Sequence, residues 1–462
     1  MTTYTGADLL AMGVEQGPRI GQLLATINAS PHDREQVQRL VEATRPPPVL
    51  TLVEGRDCTF HIEAGTDDER RNVEAVAATV AEVLRTPVAV RGLVMPDACP
   101  AGSTGTIPVG GVVTLDNAIA PGMHSADICC SVMMTEFDGV EPPQLLDAIG
   151  RLTHFGPGGR GERALDAAAL VERLVKRSPL LDTAQIRHAM ADHLGTQGDG
   201  NHFAFVGTMA STGRTVLVTH HGSRKPGALL YRAGMRIAEG WRQKLSPKTL
   251  KQNAWIPADS EDGRVYWSAL QAIRAWTEAN HRVLHEGVAR GTGAQVTDQV
   301  WNEHNFVFEQ DGLYHHAKGA TPVDPAMVPG SDGRMLVPLN MAEPVLVIRG
   351  TGTAAFAPHG AGRNMSRSAY KRQLLADGIT EAQALAEQTA GIEARWHCGL
   401  PDVSELPGAY KSAAAVQEQM QRFGLAEVID RVRPYGSIMA GDWEHDAPWT
   451  RKRRDRRAAG MA

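Results

Sequence analysis

His359-Gly360-Ala361-Gly362-Arg363-Asn364-Met365-Ser366-Arg367 brings an imidazole, two glycines and two guanidinium groups into one short run. Glycines let backbone N–H groups approach a phosphate closely, and arginine supplies charge-assisted donors. Outward from this run the same habit recurs. Asp127-Ile128-Cys129-Cys130, Asn201-His202, His220-His221-Gly222-Ser223-Arg224, His304-Asn305 and His315-His316-Ala317-Lys318-Gly319 each close a strand-like stretch or occupy a glycine-rich turn. Loops at the ends of rigid strands are where catalytic groups are usually held. A thiolate, a carboxylate and several imidazoles suit a borderline divalent metal such as Mn²⁺, Zn²⁺ or Co²⁺. One histidine beside a strand is more often a satisfied core or surface residue, and cysteine is commonly buried without a role. The recurrence, rather than any one segment, points to a metal or phosphate site.

The framework around these segments alternates irregularly. Val88–Met95, Gly111–Leu115, Ser131–Phe137, Phe203–Val206, Val216–Val218, Phe306–Phe308 and Val345–Ile348 read as strands. Helices are expected at Leu165–Val175, Tyr266–Leu284 and Glu381–Ala390. Another follows the Thr66/Glu69 capping box, with Val73, Val76, Val80 and Leu84 on one face before Pro87. Such a mixture predicts an α+β architecture rather than a doubly wound parallel sheet. Before it, Leu9 to Ile27 has the spacing of a helical hairpin around Gly17-Pro18, and the charged stretch up to Pro46-Pro47-Pro48 reads as a connector. Val49–Val53 and Cys58–Ile62, flanking Gly55, read as a strand pair. Residues 1–65 are thus a small N-terminal α/β extension, 66–441 the catalytic domain and 442–462 a basic tail.

Composition narrows the function classes. Lys plus Arg number 47 against 52 Asp plus Glu, a net charge of −5, which excludes a chain that coats nucleic acid or membrane with its whole surface. Five cysteines at irregular spacing are not a disulfide framework, and no apolar run reaches 18 residues, so a cytoplasmic protein with no membrane partner is expected. Arg451 to Arg457 holds six bases and one acid; such runs are usually solvated, and this one reads equally as an inert solubilising end or as a salt-dependent contact for a polyanion.

Taken in order, Met95-Pro96-Asp97, Gly102 to Gly111, Asp127-x-x-Cys130, Gly198-x-Gly-Asn-His-Phe203, His220-x-Gly-Ser-Arg224, His304-Asn305, His316-x-Lys-Gly-Ala-Thr321, Pro329-Gly-Ser331 and the opening His359 run resemble the RtcB family of RNA ligases. Ala409-Tyr410-Lys411 and Arg433-Pro434-x-Gly436 continue the resemblance, which spans roughly residues 85 to 441. It implies an RtcB-like mixed fold of short strands and helices around a dimetal centre holding two Mn²⁺ ions. Asp127, Cys130, His202, His220 and His304 would be the metal ligands, with Cys130 bridging, and His359 the nucleophile. Asn201, Phe203, Arg224, His316, Lys318, Ser331, Gly360, Ala361, Gly362, Arg363 and Tyr410 would bind GTP or another NTP. The implied reaction joins a 3′-phosphate or 2′,3′-cyclic phosphate RNA end to a 5′-hydroxyl through a nucleotidylated histidine. The implied partners are ends of tRNA or broken RNA and an archease-like activator.

The departures cluster. Where the family's ligases carry a glutamate, a serine and a lysine at the base, this chain has Phe205, Leu336 and Met439. Cys99 replaces a histidine after Met-Pro-Asp, Ser131 replaces a glycine after the metal-binding cysteine, and the loops read Gly222-Ser-Arg-Lys-Pro-Gly227 and Pro329-Gly-Ser-Asp332-Gly333. Cys99 is either an added soft ligand or a small buried residue. Two readings follow. One is a ligase with altered nucleotide specificity; the other is a metal-dependent phosphodiesterase or phosphatase on cyclic-phosphate or 3′-phosphate RNA ends, without nucleotidyl transfer.

Overall fold

The computed structural model describes residues 3–14, 16–29, 32–44, 48–163 and 165–445, so the basic run Arg451 to Arg457 lies outside the described residues. The chain divides into two compact units, one of Met1–Thr51 with Gln243–Pro247, the other of Leu52–Arg242 with Lys248–Ala462. In the first, Thr5 and Asp8 form a capping box for the helix Gly6–Ala11, and Pro18–Ala29 follows. The charged stretch expected as a connector is instead a third helix, Arg34–Thr44. Its Val37 and Val41, spaced i to i+4, share a core with Leu9, Leu23 and Ile27, and that burial outweighs the polar composition.

The second unit is built on two sheets. The five-stranded one runs in the order Cys58–Phe60, Ala89–Cys99, Val109–Asp116, Leu313–Lys318, Asn305–Gln310. The expected pairing of Val49–Val53 with Cys58–Ile62 is not formed. Cys58–Phe60 lies parallel to Ala89–Cys99 with Cys58 opposite Gly92, while the Val53 N–H donates to Arg85 O and Leu50 N–H to Leu245 O, which leaves no ladder for a hairpin. The larger sheet runs Gln295–Glu303, Ser131–Asp138, Thr215–His221, Phe203–Met209, Ala426–Met439, Val345–Gly350, Arg334–Val337, with Glu393–Trp396 alongside Ala426–Met439. That last long strand has a register shift between Pro434 and Gly436 and alternates buried Val432 with charged neighbours. A proline and scattered charges hide such a strand from a search for apolar runs.

Side chains alternate across the larger sheet, so its two faces carry different residues. On one, Val132, Met134, Val218, Phe205, Leu336 and Val347 pack together. On the other, Thr219 and His221 meet the helix Glu261–Thr292, capped by Ser260 and ended by left-handed Gly293, which reaches well beyond the expected Tyr266–Leu284. There Thr219 Oγ1 bonds His281 Nδ1 at 2.7 Å and His285 Nε2 at 2.8 Å. The fold is a mixed α/β one, and no helix among the described residues is long and apolar enough to cross a membrane.

Candidate metal centre and adjoining cavity

Antiparallel register carries several strand ends to one place. Ser131 lies opposite both His221 and Glu303, and Phe203 lies opposite His220. The neighbours of those pairs, Cys130, His304 and His202, are thereby drawn to His220. His304 N–H donates to Cys130 O at 2.9 Å, and the turn that delivers Cys130 is tightened by Cys129 at φ +58°. Cys130 Sγ lies 3.2 Å from His220 Nε2 and 3.6 Å from His202 Nε2; His202 Nε2 is 3.1 Å from Asp127 Oδ2. His220 Nε2 faces His304 Nε2 at 3.2 Å. Two triads result, Cys130–His220–His304 and Asp127–Cys130–His202, each with its ligand atoms within 4.8 Å of one another and with Cys130 common to both.

The donor set fits cations rather than internal hydrogen bonding. A carbonyl can only accept, so the contact of His220 Nδ1 with Asn201 O at 3.1 Å fixes the proton on Nδ1 and leaves Nε2 as a lone-pair donor. Burial pushes His220 down to about 3 and His304 well below the usual imidazole range, so both are neutral imidazoles able to offer a lone pair. Burial acts to raise Asp127, yet the hydrogen bond and charge of His202, with Arg224 nearby, outweigh it and hold the carboxylate at about 2. Burial, then the Asp127 charge, push the Cys130 thiol up, so only a cation between these groups makes a thiolate favourable there. The buried His304 Nδ1 and His202 Nδ1 have no hydrogen-bond partner among the described residues. Gly222 is required beside them: a Cβ there would fall 1.9 Å from Asp127 Oδ1.

His359 follows the short strand Phe356–Pro358 and is gripped by Asp97 from Ala89–Cys99. The fully buried Asp97 carboxylate accepts from the His359 backbone N–H at 3.0 Å and from Nδ1–H at 2.6 Å through the same oxygen, Oδ2. With the proton on Nδ1, the neutral ring carries its lone pair on Nε2, and the ring sits 4.9 Å, centroid to centroid, from that of His304. Gly362, at φ +69°, permits this closeness, since a Cβ there would lie 1.9 Å from Asp97 O. Lys411 Nζ donates to Pro96 O at 3.1 Å and Ala98 O at 2.6 Å, on either side of Asp97 in sequence.

Beside His359 opens a cavity of about 350 Å³. Of the residues singled out from sequence, Asn201, Phe203, His220, His359, Gly360, Ala361, Gly362, Arg363 and Tyr410 line it. Others do not. His316 is fully buried, with Nε2 accepting from Ala120 N–H at 2.9 Å and Nδ1 donating to Tyr314 O at 3.1 Å, so both nitrogens are spent on backbone. Ser331 lines a separate polar cleft with Arg274 and Glu303, and its Oγ accepts from Gly333 N–H. Arg224, at φ +53°, donates to Gly156 O at 3.0 Å and Thr196 Oγ1 at 3.3 Å, and its charge acts on Asp127. Lys318 Nζ donates to Ile107 O at 3.0 Å. Among the departures, Phe205 and Met439 line the cavity, whereas Leu336 is buried in the sheet core with its backbone bonded to Asn302. Cys99 lines the cavity and burial raises its thiol.

Sequence reasoning gave no role to Asp97 or Glu405. Asp97 stood in the quoted Met-Pro-Asp run, the one signal available; Glu405 closes the single 3₁₀ turn Val403–Glu405 and carries none. Its buried carboxylate takes Arg363 at 2.7 Å, Arg367 at 2.6 Å and the Tyr410 hydroxyl at 2.5 Å, while the Arg363 guanidinium lies 4.4 Å over the Tyr410 ring.

The family model described as tRNA-splicing ligase RtcB matches residues 159–440. The chain belongs to the RtcB family. A tRNA-splicing ligase RtcB of Aeropyrum pernix is 27% identical over 435 residues, spanning 74% of this chain and 87% of its own. That of Thermococcus kodakarensis is 26% identical over 430 residues, spanning 74% and 86%. An RNA-splicing ligase RtcB of Mycobacterium bovis is 26% identical over 406 residues, spanning 72% and 93%. With identity this low, this RtcB-family chain has room for the substitutions that line its cavity.

Proposed function

We propose that this RtcB-family protein is an RNA ligase that joins a 3′-phosphate or 2′,3′-cyclic phosphate end to a 5′-hydroxyl through a nucleotidylated His359. The observation that carries the reading is the Asp97–His359 pair: an imidazole held in one tautomer, its free Nε2 beside the metal triads, is an activated nucleophile. Asp97 holds the proton on Nδ1 throughout, and the Nε2 lone pair attacks the α-phosphorus of a nucleoside triphosphate. The bond from that phosphorus to the β-phosphate oxygen breaks and pyrophosphate leaves with the electron pair. A 2′,3′-cyclic phosphate is first opened by water, which breaks the bond from phosphorus to O2′ and gives the 3′-phosphate; an oxygen of that phosphate then displaces His359 from the α-phosphorus, and the 5′-hydroxyl attacks the RNA 3′-phosphorus and displaces the nucleoside monophosphate. Arg363, with Glu405 fixing its plane, and the backbone of Gly360 to Gly362 orient phosphate oxygens.

Asp127, Cys130, His202, His220 and His304 are proposed to hold two divalent cations, Mn²⁺ on the family resemblance, with Cys130 shared. Bound there, the ions would neutralise phosphate charge and polarise the phosphorus for attack. The hydrolase reading is favoured by one observation, the apolar Phe205 and Met439 in the cavity wall. The oriented histidine outweighs it, because hydrolysis by activated water needs no imidazole locked by a carboxylate. The test is an RNA with a 2′,3′-cyclic phosphate incubated with a 5′-hydroxyl RNA, Mn²⁺ and each NTP. A joined strand that requires both nucleotide and His359 is expected; opening of the cyclic phosphate without joining under every nucleotide would replace the ligase by the hydrolase.

A further inference from the structure

The face of the larger sheet that meets the helix Glu261–Thr292 carries a row of buried polar groups that the proposed chemistry does not use. Antiparallel register sets Gln299 opposite Thr135, Thr219 opposite Met133 and His221 opposite Ser131, and because side chains alternate along a strand, Thr135, Thr219 and Ser131 share that face. His281 and His285, one helical turn apart, present their rings to it. Hydrogen bonds then run without a gap. Arg282 Nη1 bonds Gln299 Oε1 at 2.7 Å, and Gln299 Nε2 bonds Thr135 Oγ1 at 2.9 Å. Thr135 Oγ1 meets His285 Nδ1 at 2.7 Å, His285 Nε2 meets Thr219 Oγ1 at 2.8 Å, and Thr219 Oγ1 meets His281 Nδ1 at 2.7 Å. His281 Nε2 meets Ser131 Oγ at 3.1 Å, and Ser131 Oγ reaches His221 O at 3.4 Å. Thr135, His285, Thr219, His281 and Ser131 are all 0% exposed. We infer that these groups are a positioning chain with one fixed proton order, which steadies the strand ends carrying Cys130 and His220 and so sets the affinity of that site for its cations. The inference rests on the metal-centre part of the ligase reading.

The proton order follows from the two ends. A guanidinium can only donate, so Arg282 holds the Gln299 carbonyl toward itself and leaves the Gln299 amino group to donate to Thr135. Thr135 accepts there, and its own proton has one destination among the described residues, His285 Nδ1. Burial pushes His285 down to about 3 and His281 well below the usual imidazole range, so each ring is neutral and carries a single proton. His285 therefore donates from Nε2 to Thr219, and the Thr219 hydroxyl donates to His281 Nδ1. His281 donates from Nε2 to Ser131, and Ser131 to the His221 carbonyl. The inner end demands the same sense, because a carbonyl can only accept. Reversing any one link would leave a buried proton or lone pair unmatched. A chain that ends on a carbonyl delivers no proton to the site, so its part is orientation. It reaches the candidate ligands through Ser131 and His221, the residues that follow Cys130 and His220. The His281 ring, bonded at both nitrogens, also lies flat on that of His221, with centroids 3.5 Å apart and planes 14° from parallel. Ser131 stands where the family resemblance expects a glycine, which has no hydroxyl, so this departure supplies the inner link. Groups one shell out from a metal orient its ligands in this way.

Two readouts on the full chain test the inference. Long-range ¹H–¹⁵N spectra of the metal-free protein, with resonances assigned by their loss in His281→Gln and His285→Gln, show which ring nitrogen carries each proton; calorimetric titration with Mn²⁺ alone gives the affinity. Both imidazoles are expected to be protonated on Nε2 and bare on Nδ1. Thr219→Val, which removes the central hydroxyl, and Ser131→Ala, which removes the inner one, are each expected to weaken Mn²⁺ binding about 10-fold, whereas Thr219→Ser, which keeps the hydroxyl, is expected to bind as the wild type does. A proton on Nδ1 of either ring overturns the fixed order. Native Mn²⁺ affinity in folded Thr219→Val and Ser131→Ala overturns the positioning role, and so does Thr219→Ser binding no tighter than Thr219→Val. Failure of the metal-centre reading shows separately, as a wild type that takes up no Mn²⁺ whatever its ring protons; that result removes the positioning role along with the site.

Discussion

Replacing Asp97 by asparagine tests how His359 is made reactive. In the native site a single oxygen, Oδ2, accepts both the His359 backbone N–H at 3.0 Å and Nδ1–H at 2.6 Å. An asparagine carbonyl can still take one of these, but its amino group turned toward the ring would demand a lone pair on Nδ1 and force the proton onto Nε2, the wrong tautomer for attack. A hydrogen bond to a charged partner is worth about 1.5–3 kcal/mol, and the corresponding change in a Ser-His-Asp triad slows the reaction about 10⁴-fold. Formation of the His359 adduct in a single turnover should therefore slow by about 10²- to 10⁴-fold. Metal content should stay at the wild-type level, because Asp97 contributes no ligand atom to either triad. The variant also loses the carboxylate whose charge acts on buried Lys411, so the melting temperature falls and the rate is read well below it. An adduct forming at the wild-type rate in folded Asp97→Asn would refute the assignment of Asp97 as the residue that orients the nucleophile.

Other perturbations bear on separate parts of the site. Cys130→Ser removes the atom common to both triads, and elemental analysis should show the content of both ions reduced; unchanged stoichiometry would take Cys130 out of the site. Gly222→Ala places a Cβ 1.9 Å from Asp127 Oδ1, so calorimetry should record a loss of Mn²⁺ affinity in a folded protein, and native affinity would mean the Asp127 carboxylate is not a ligand. Glu405→Gln leaves the guanidinium of Arg363 buried without its anion, and chemical denaturation should show a loss of about 3 kcal/mol; a loss under 1 kcal/mol would show that the cluster is not held by Glu405. Burial brings the Lys318 ammonium down to about 8 from 10.5, so between those pH values the unfolded chain binds a proton that the folded chain does not. Stability of the metal-free wild type should accordingly rise with pH across that window, by up to about 3 kcal/mol relative to Lys318→Met. Parallel stability curves would contradict it.

Much of the sheet framework is legible from apolar runs, because Ser131–Asp138, Phe203–Met209, Thr215–His221 and Val345–Gly350 are buried on both faces and so advertise themselves. Ala426–Met439 is not, since its charged residues alternate with buried ones and Pro434 interrupts it. The site divides in the same way. Residues flanking strand ends, such as Cys130, His202, His220 and His304, were readable because strand termini and glycine turns mark where such side chains gather. The two histidines of His315-His316 carry the same local signal and are structural: His315 bonds Thr114 Oγ1 at 3.0 Å, and His316 bonds only backbone. Sequence alone cannot separate them from ligands, because the difference lies in what the opposite strand presents. Glu405 was invisible for a related reason, since its partners Arg363, Arg367 and Tyr410 meet it only once the 3₁₀ turn Val403–Glu405 is placed by the fold.

Covalent nucleotidylation of His359 can be read by peptide mapping with mass spectrometry. The protein is incubated with Mn²⁺ and each NTP in turn, quenched without acid to preserve the N–P bond, digested and sequenced by fragmentation. A nucleoside monophosphate mass increment is expected on the peptide containing His359, localised to that imidazole and absent from His359→Ala. An unmodified His359 peptide with every nucleotide, or an increment localised to another residue, would contradict it.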